Sequence, residues 1–180
     1  LQPLDEHSVF LQPTAYRELR MDTQGRFGGL GIVITTRKGL ITIVSVMPDT
    51  PASKAGLKSG DQIVEIGDES TMNLSLNDAV TKLRGKPDTT ITIVLQRKGW
   101  PEPRTFTLTR AEIHIQSVSA EVLGNGIGYV HIKHFQEDTR AEVTRLLGDL
   151  AQQGSLSGLV LDLRQDPGGL LDQAIEVSNL

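Results

Sequence analysis

Cysteine is absent from this chain. That excludes disulfides, thiolate nucleophiles and cysteine-based zinc sites, and it leaves the compartment open because many exported proteins also lack cysteine. No apolar run approaches the roughly 20 residues of a membrane span, so membrane insertion is not expected. The opening LQPLDEHSVF has neither a charged leader nor an apolar signal core. A basic block is missing too: 18 Lys and Arg are interspersed with 22 Asp and Glu, for a net charge of -4, and no nucleic-acid partner is expected. Position 1 is not Met, so the chain is expected to be a piece of a longer one.

What remains is 180 residues, 38% of them hydrophobic, enough for one good core or two small ones. Pro13 stands at the start of a short helix, PTAYRELRM, expected to break at the polar DTQG. From Phe27 to Arg110 the chain reads as short β runs rich in Ile, Val and Thr: LGIVITT, LITIVSV, DQIVEIG, TTITIVLQRKG and RTFTLTR. Two helical pieces interrupt them, TPASKAGLKSGD and SLNDAVTKLRG. In the second, Ser75 and Asp78 have N-cap and N3 spacing, and Gly85 is expected to close the end. After Arg110 come the strands EIHIQSVSAEVL and GIGYVHIKHF, a helix from about Thr139 to Gln153, the strand GLVLDLR, a Gly-Gly turn and a last helix. Strand, long helix, strand implies a βαβ unit. Leu159, Leu161 and Leu163 alternate with Val160, as in a strand covered on both faces, and part of that cover is expected to lie outside this chain.

Three constellations carry chemistry. FGGLGIVI could form a loop whose successive N–H groups converge on a carboxylate, followed by a strand edge that accepts an extended peptide. Leu30, Ile32 and Ile34 share one strand face, while Leu76, Val80 and Leu83 fall at i, i+4 and i+7 on one helix stripe. They read either as a groove for an apolar C-terminal side chain, with its carboxylate at Gly31, or as plain core. The second constellation, DPGGLLDQ, puts Gly168 and Gly169 between a strand and a helix start, where bare N–H groups meet an anion or merely make a turn. The third is HIKHF: His131 and His134 point to opposite faces of a strand, so no metal site is expected, and no cofactor. The neighbours Ser53 and Lys54, and Lys58 and Ser59, sit on exposed turns where the amine stays protonated and cannot serve as a base.

In their order GLGI, PASKAGLKSGDQIVEIG and LNDAVTKLRG, these motifs resemble a PDZ domain of the bacterial arrangement. The resemblance implies that the amides of Leu30, Gly31 and Ile32 bind a ligand carboxylate, with Ile32, Ile34, Val80 and Leu83 lining the pocket for the last side chain. Leu76 stands where many PDZ domains have a His that reads a ligand hydroxyl. The flanks LDEHSVFLQPTAYREL and GLVLDLRQDPGGLLDQAIEV resemble the C-terminal processing peptidases, or tail-specific proteases, which carry a PDZ domain inside a serine peptidase core. Glu6 replaces a typical Pro, and Gln165 and Asp166 stand where Asn is common. His7 in DEHS is given a structural hydrogen-bonding role.

The implied fold is α+β: residues 1–26 as a flank of the peptidase core, 27–110 as a PDZ domain (a small β-barrel or sandwich with two helices), and 111–180 as the incomplete start of an α/β peptidase core. The implied function is recognition and processing of C-terminal tails of substrate proteins by a Ser nucleophile and a neutral Lys. Both are expected downstream of the Pro-Gly-Gly turn, so this chain should bind tails without cleaving them. A backbone N–H of Gly168 or Gly169, with Gly168 favoured, would serve the oxyanion hole. A periplasmic or otherwise exported site and self-association of the incomplete core complete the expectations, while Arg84 reads either as a link from peptide binding to the active site or, in preference, as an exposed charge at the C-terminal end of its helix. The rival reading is a free-standing PDZ adaptor without catalysis.

Overall fold

The computed structural model describes residues 8–180, so Glu6 and His7 lie outside the described residues. The first helix, α1 (Pro13–Gln24), has Pro13 in its first turn and ends on left-handed Gly25, whose N–H returns to the Met21 carbonyl. It therefore runs through Asp22 and Thr23, where a break was expected. The Thr23 hydroxyl bonds back to the Leu19 and Arg20 carbonyls, and Gly25, at a φ of 65° that glycine adopts at least cost, stops the helix.

The chain divides into two compact units, one of them Phe27–His114. Its elements are β1 (Arg26–Gly29), β2 (Ile32–Arg37), β3 (Leu40–Val46), α2 (Pro51–Lys54), β4 (Gln62–Ile66), β5 (Glu69–Ser70), α3 (Leu76–Leu83), β6 (Thr90–Gln96), β7 (Arg104–Thr109) and β8 (Ala111–His114). The sheet runs β2-β3-β4-β6-β7 with β5 appended to β4, and β1 pairs separately with β8. It is an open antiparallel sheet and not a closed barrel. Ala111–His114 joins this unit by pairing with β1, so the unit reaches past Arg110. Ile41, Ile43, Ile63, Ile93 and Leu95 fill its core, with Ala79 and Leu83 of α3 packed into it. Alternation along β6 buries Ile91, Ile93 and Leu95 and turns the threonines outward.

The second unit comprises the described residues up to Arg26 together with Ile115–Leu180. The expected single strand EIHIQSVSAEVL is broken, and β9 (Val118–Leu123) begins after Ser117. Strand β10 (Ile127–Ile132) pairs antiparallel with β9 and parallel with β11 (Gly158–Asp162), reached through α4 (Thr139–Gln152). Helix α5 (Leu171–Ser178) follows the Gly pair. The break at Ser117 has a cause: Glu142, in the first turn of α4, accepts the N–H groups of Ser117 and Val118 and the Ser117 hydroxyl through Oε2. Val118, Val130, Ile132, Val143 and Leu150 form the core here. Leu159, Val160, Leu161 and Leu163 are about half exposed while Asp162 is buried, so β11 lacks the two-sided cover its composition suggests.

In the first unit a buried charge pair fastens the loop before β4 to the β6–β7 hairpin. The Asp61 carboxylate is fully buried. It accepts the Lys58 N–H and both Nε and Nη2 of Arg97, whose Nη2 also reaches the Gly56 carbonyl. Arg97 and Arg104 each lie 4.4 Å from the Trp100 ring centroid. Removing one partner of such a pair leaves a bare buried charge, so Arg97→Met is expected to lower stability by about 3–5 kcal/mol. Asp61→Asn combined with Arg97→Met should recover part of the loss. Urea denaturation followed by the fluorescence of Trp100, the only tryptophan, checks this.

Candidate functional sites

Between β1 and β2 the Leu30–Ile32 segment turns through Gly31 at φ 77°. A Cβ on Gly31 would fall 2.3 Å from the Thr50 side chain, so only glycine fits. Both loop carbonyls point into the protein: Leu30 O accepts the Ala52 N–H at 3.0 Å and Gly31 O the Met47 N–H at 2.9 Å. Among the described hydrogen bonds, neither the Leu30 nor the Gly31 N–H donates. The Leu30 side chain is buried in the core, which pins the loop from below.

Helix α3 lies beside β2. It starts on Ser75, whose hydroxyl accepts the Asp78 N–H and bonds the Asp78 carboxylate, as the N-cap spacing predicts. It does not end on Gly85. Arg84 is the C-cap, in extended conformation, and Gly85 is not left-handed. Ala79 and Leu83 are the buried stripe of α3, Val80 is half-buried, and Leu76 is exposed. Ile32 and Ile34 are partly buried against the same core. The six apolar positions thus split: Leu30 and Leu83 are core, Ile32, Ile34 and Val80 are partly buried on the neighbouring strand and helix, and Leu76 is exposed at the helix start. Ala79, whose small side chain lets the helix sit close, went unnoticed in the sequence because alanine carries little periodic signal. Arg84 lies over the Phe27 ring at 4.7 Å.

The second site is the turn after β11. Gly168 and Gly169 have φ of 108° and 139°, which no other residue adopts without strain. A Cβ on Gly169 would fall 2.2 Å from the Phe135 carbonyl oxygen. Two bonds lock the turn to Phe135: its N–H donates to Gly168 O, and its carbonyl accepts from Leu170 N, each at 2.9 Å. The Gly168 N–H donates to Asp166 Oδ1 at 2.7 Å, whereas no described hydrogen bond uses the Gly169 N–H. Asp166 therefore shapes the turn.

Strand β11 is held at its end by the buried Asp162. Arg164 brings its backbone N–H, Nε and Nη2 to that carboxylate, and the Tyr129 hydroxyl donates to it from β10. His131 Nε2 lies 3.2 Å from the Arg164 carbonyl. Arg164 first and Tyr129 second hold the Asp162 carboxyl far below the usual carboxylate range. The same bonds push Tyr129 and Arg164 upward, with Asp162 the leading cause for each. Neither Asp162 nor Tyr129 was singled out in the sequence, because only the parallel register, which sets His131 opposite Asp162, brings them together. His131 and His134 share no cluster, and no metal-binding group of side chains occurs among the described residues. Ser53, Lys54, Lys58 and Ser59 are all exposed.

A carboxyl depressed by folding contributes stability that is complete above its unfolded pKa of about 4 and is lost as pH falls toward the folded value. Wild type is therefore expected to lose stability below about pH 4 more steeply than Asp162→Asn. Urea midpoints followed by far-UV circular dichroism between pH 3 and 6 test this; parallel profiles would show the network to be without energetic weight.

Comparison with known proteins joins these pieces. Residues 42–97 match the PDZ domain model and residues 126–180 the model of peptidase family S41. A carboxy-terminal-processing protease of Bartonella bacilliformis is 39% identical over 99% of this chain and 42% of its own length. Carboxy-terminal processing protease CtpB of Bacillus subtilis is 35% identical over 96% of this chain and 36% of its own. A solved photosystem II D1 C-terminal processing protease superposes with a TM-score of 0.54 at 32% identity, over 94% of this chain and 48% of that one. The chain thus spans about two fifths of the curated relatives it matches, and nothing supports a PDZ adaptor lacking peptidase sequence. No helix among the described residues is long and apolar enough to cross a membrane. Along nearly its whole length, then, the chain is similar to the carboxy-terminal processing proteases, as a PDZ domain joined to sequence of peptidase family S41.

Proposed function

We propose that this chain captures the free C-terminal tails of proteins for cleavage by a serine peptidase of which it forms part. The observation that carries the reading is the Leu30–Ile32 loop. Its carbonyls are bonded inward, the Leu30 and Gly31 N–H groups donate in none of the described hydrogen bonds, and the loop leads directly into β2, which lies beside α3. A peptide carboxylate there would receive backbone donors, and its last side chain would lie against Ile32, Ile34, Val80 and the core residue Leu83. With Leu76 at the mouth, apolar tails fit better than hydroxyl-bearing ones. In the same reading the Gly168-Gly169 turn lends one N–H to the oxyanion during acyl transfer, the Ser and Lys coming from other sequence. Because Asp166 occupies the Gly168 N–H, Gly169 is the better donor. The exported or periplasmic setting rests on family resemblance alone, and the half-exposed leucines of β11 support self-association of this chain in isolation.

The chain is expected to bind a tail peptide ending in Val with a free carboxylate, and to release it when the peptide is amidated. Val80→Asp, a change at a half-buried position the fold tolerates, should weaken binding at least about tenfold, since burying an aliphatic side chain is worth roughly 1.5–3 kcal/mol. Calorimetric titration decides: equal isotherms for acid and amide would remove the groove reading. For the turn, proline is unsuitable because neither glycine has a φ it can adopt. Replacing each glycine by glycolic acid in a longer, active protein deletes the N–H without adding a Cβ, and loss of the true donor should lower kcat by about 10²–10³. Unchanged turnover in both esters would make the turn a scaffold only.

A further inference from the structure

The end of α3, more than its groove face, carries an interaction that the sequence does not announce. The helix has eight residues and stops on extended Arg84, so no left-handed glycine closes its last turn. The Arg84 N–H returns to Val80 O at 2.9 Å. Of the carbonyls beyond it, those of Lys82 and Leu83 are both taken by one side chain: Arg110 donates from Nη2 to Lys82 O at 2.9 Å and from Nε to Leu83 O at 3.0 Å. Its other arm, Nη1, donates to Thr89 Oγ1 at 3.0 Å and Thr90 O at 3.3 Å. The Arg110 main chain is anchored as well, its N–H on Thr89 O and its carbonyl accepting from Asp88 N. No ion pair among the described residues includes Arg110, so its charge faces the negative end of the helix dipole. Gly85 makes the room: a Cβ there would stand 2.8 Å from Arg110 Nε.

This is the end of α3 that bears Val80 and Leu83. It is also tied to the strand leading into the carboxylate loop, because the Gly85 N–H donates to Gly28 O at 3.1 Å. A helix this short does not hold its own form in water, so where Val80 and Leu83 stand relative to β2 follows from what grips the helix ends. Ser75 and Asp78 grip the first turn, and Arg110 grips the last.

We infer that Arg110 is a positioning residue of the peptide groove: its forked clamp on α3 sets the size of the pocket that receives the last side chain of a bound tail. The inference rests on the groove reading above. A merely structural arginine would lower stability and weaken all peptides alike, whereas a positioning one changes the discrimination among last residues.

The test measures fluorescence anisotropy of three labelled peptides of common sequence ending in Ala, Val or Leu, each with a free carboxylate, on wild type and three variants. Arg110→Gln is expected to weaken the best peptide about tenfold and to draw the three affinities together, the scale seen for residues that act without touching ligand. Arg110→Lys keeps the charge without the planar fork and should fall between. Gly85→Ala leaves the arginine in place but pushes its guanidinium off the carbonyls, at a position where φ does not demand glycine; it should reproduce the Arg110→Gln pattern and serves if that variant does not fold. A wild type that binds while Arg110→Gln or Gly85→Ala keeps its ranking and affinities overturns the inference alone. A wild type that binds none of the peptides overturns the groove reading, and the inference with it.

Discussion

The contact of Gly31 with Thr50 decides what the Phe27–His114 unit presents outward. Because Gly31 is left-handed and lies against the threonine side chain, the loop can turn both its carbonyls inward, onto Ala52 and Met47. Amides left over on the outer side are then a geometric consequence. The same Thr50 caps α2, accepting the Ser53 N–H, and its hydroxyl donates to the Met47 carbonyl. One side chain therefore fixes the loop, the start of the short helix and the chain entering it, and a change at any of them moves the others.

Carboxylates organise both units in a similar way. Asp61, Glu142 and Asp162 each collect donors from segments distant in sequence: Arg97 at the hairpin, the Ser117 and Val118 amides at the start of β9, and Tyr129 on β10. A buried carboxylate is costly unless its oxygens are filled. Asp61 and Asp162, both buried, therefore each select one arrangement of their loops over alternatives that leave the charge bare, while Glu142, half-buried, does so more weakly. The terminal turn has a weaker form of this device, in which Asp166 holds the Gly168 N–H and one of its own oxygens is buried without a partner.

The relation between groove and helix end is mechanical. Side chains that would touch a ligand lie on β2 and α3, but α3 owes its seat to Arg110, beyond β7, and to Gly28 in β1. The seat of α3 thus draws on residues at both ends of this unit's sequence, Gly28 and Arg110.

Much of this was legible in the residues. Alternating Ile, Val and Thr set the strands, because a period of two puts one face in the core; Ser75 with Asp78 marked the helix start, because the cap is local; the Gly-rich segments marked the turns, because few other residues take positive φ. The order of these motifs also disclosed the family. Local pattern could not say where α1 stops, that Gly85 leaves space for an arginine instead of capping a helix, or that Ala79 and Leu83 are the buried stripe of α3 while Leu76 is exposed. Nor could it pair Asp162 with Tyr129, Glu142 with Ser117, or Arg110 with the end of α3. Those partners lie 20 or more residues apart and meet only through strand register and helix packing. The sequence by itself determined the elements and the chemical classes of the sites, through interactions within a few residues. The tertiary structure alone decided which donors are left open and which are already taken, because a hydrogen bond needs both partners in place.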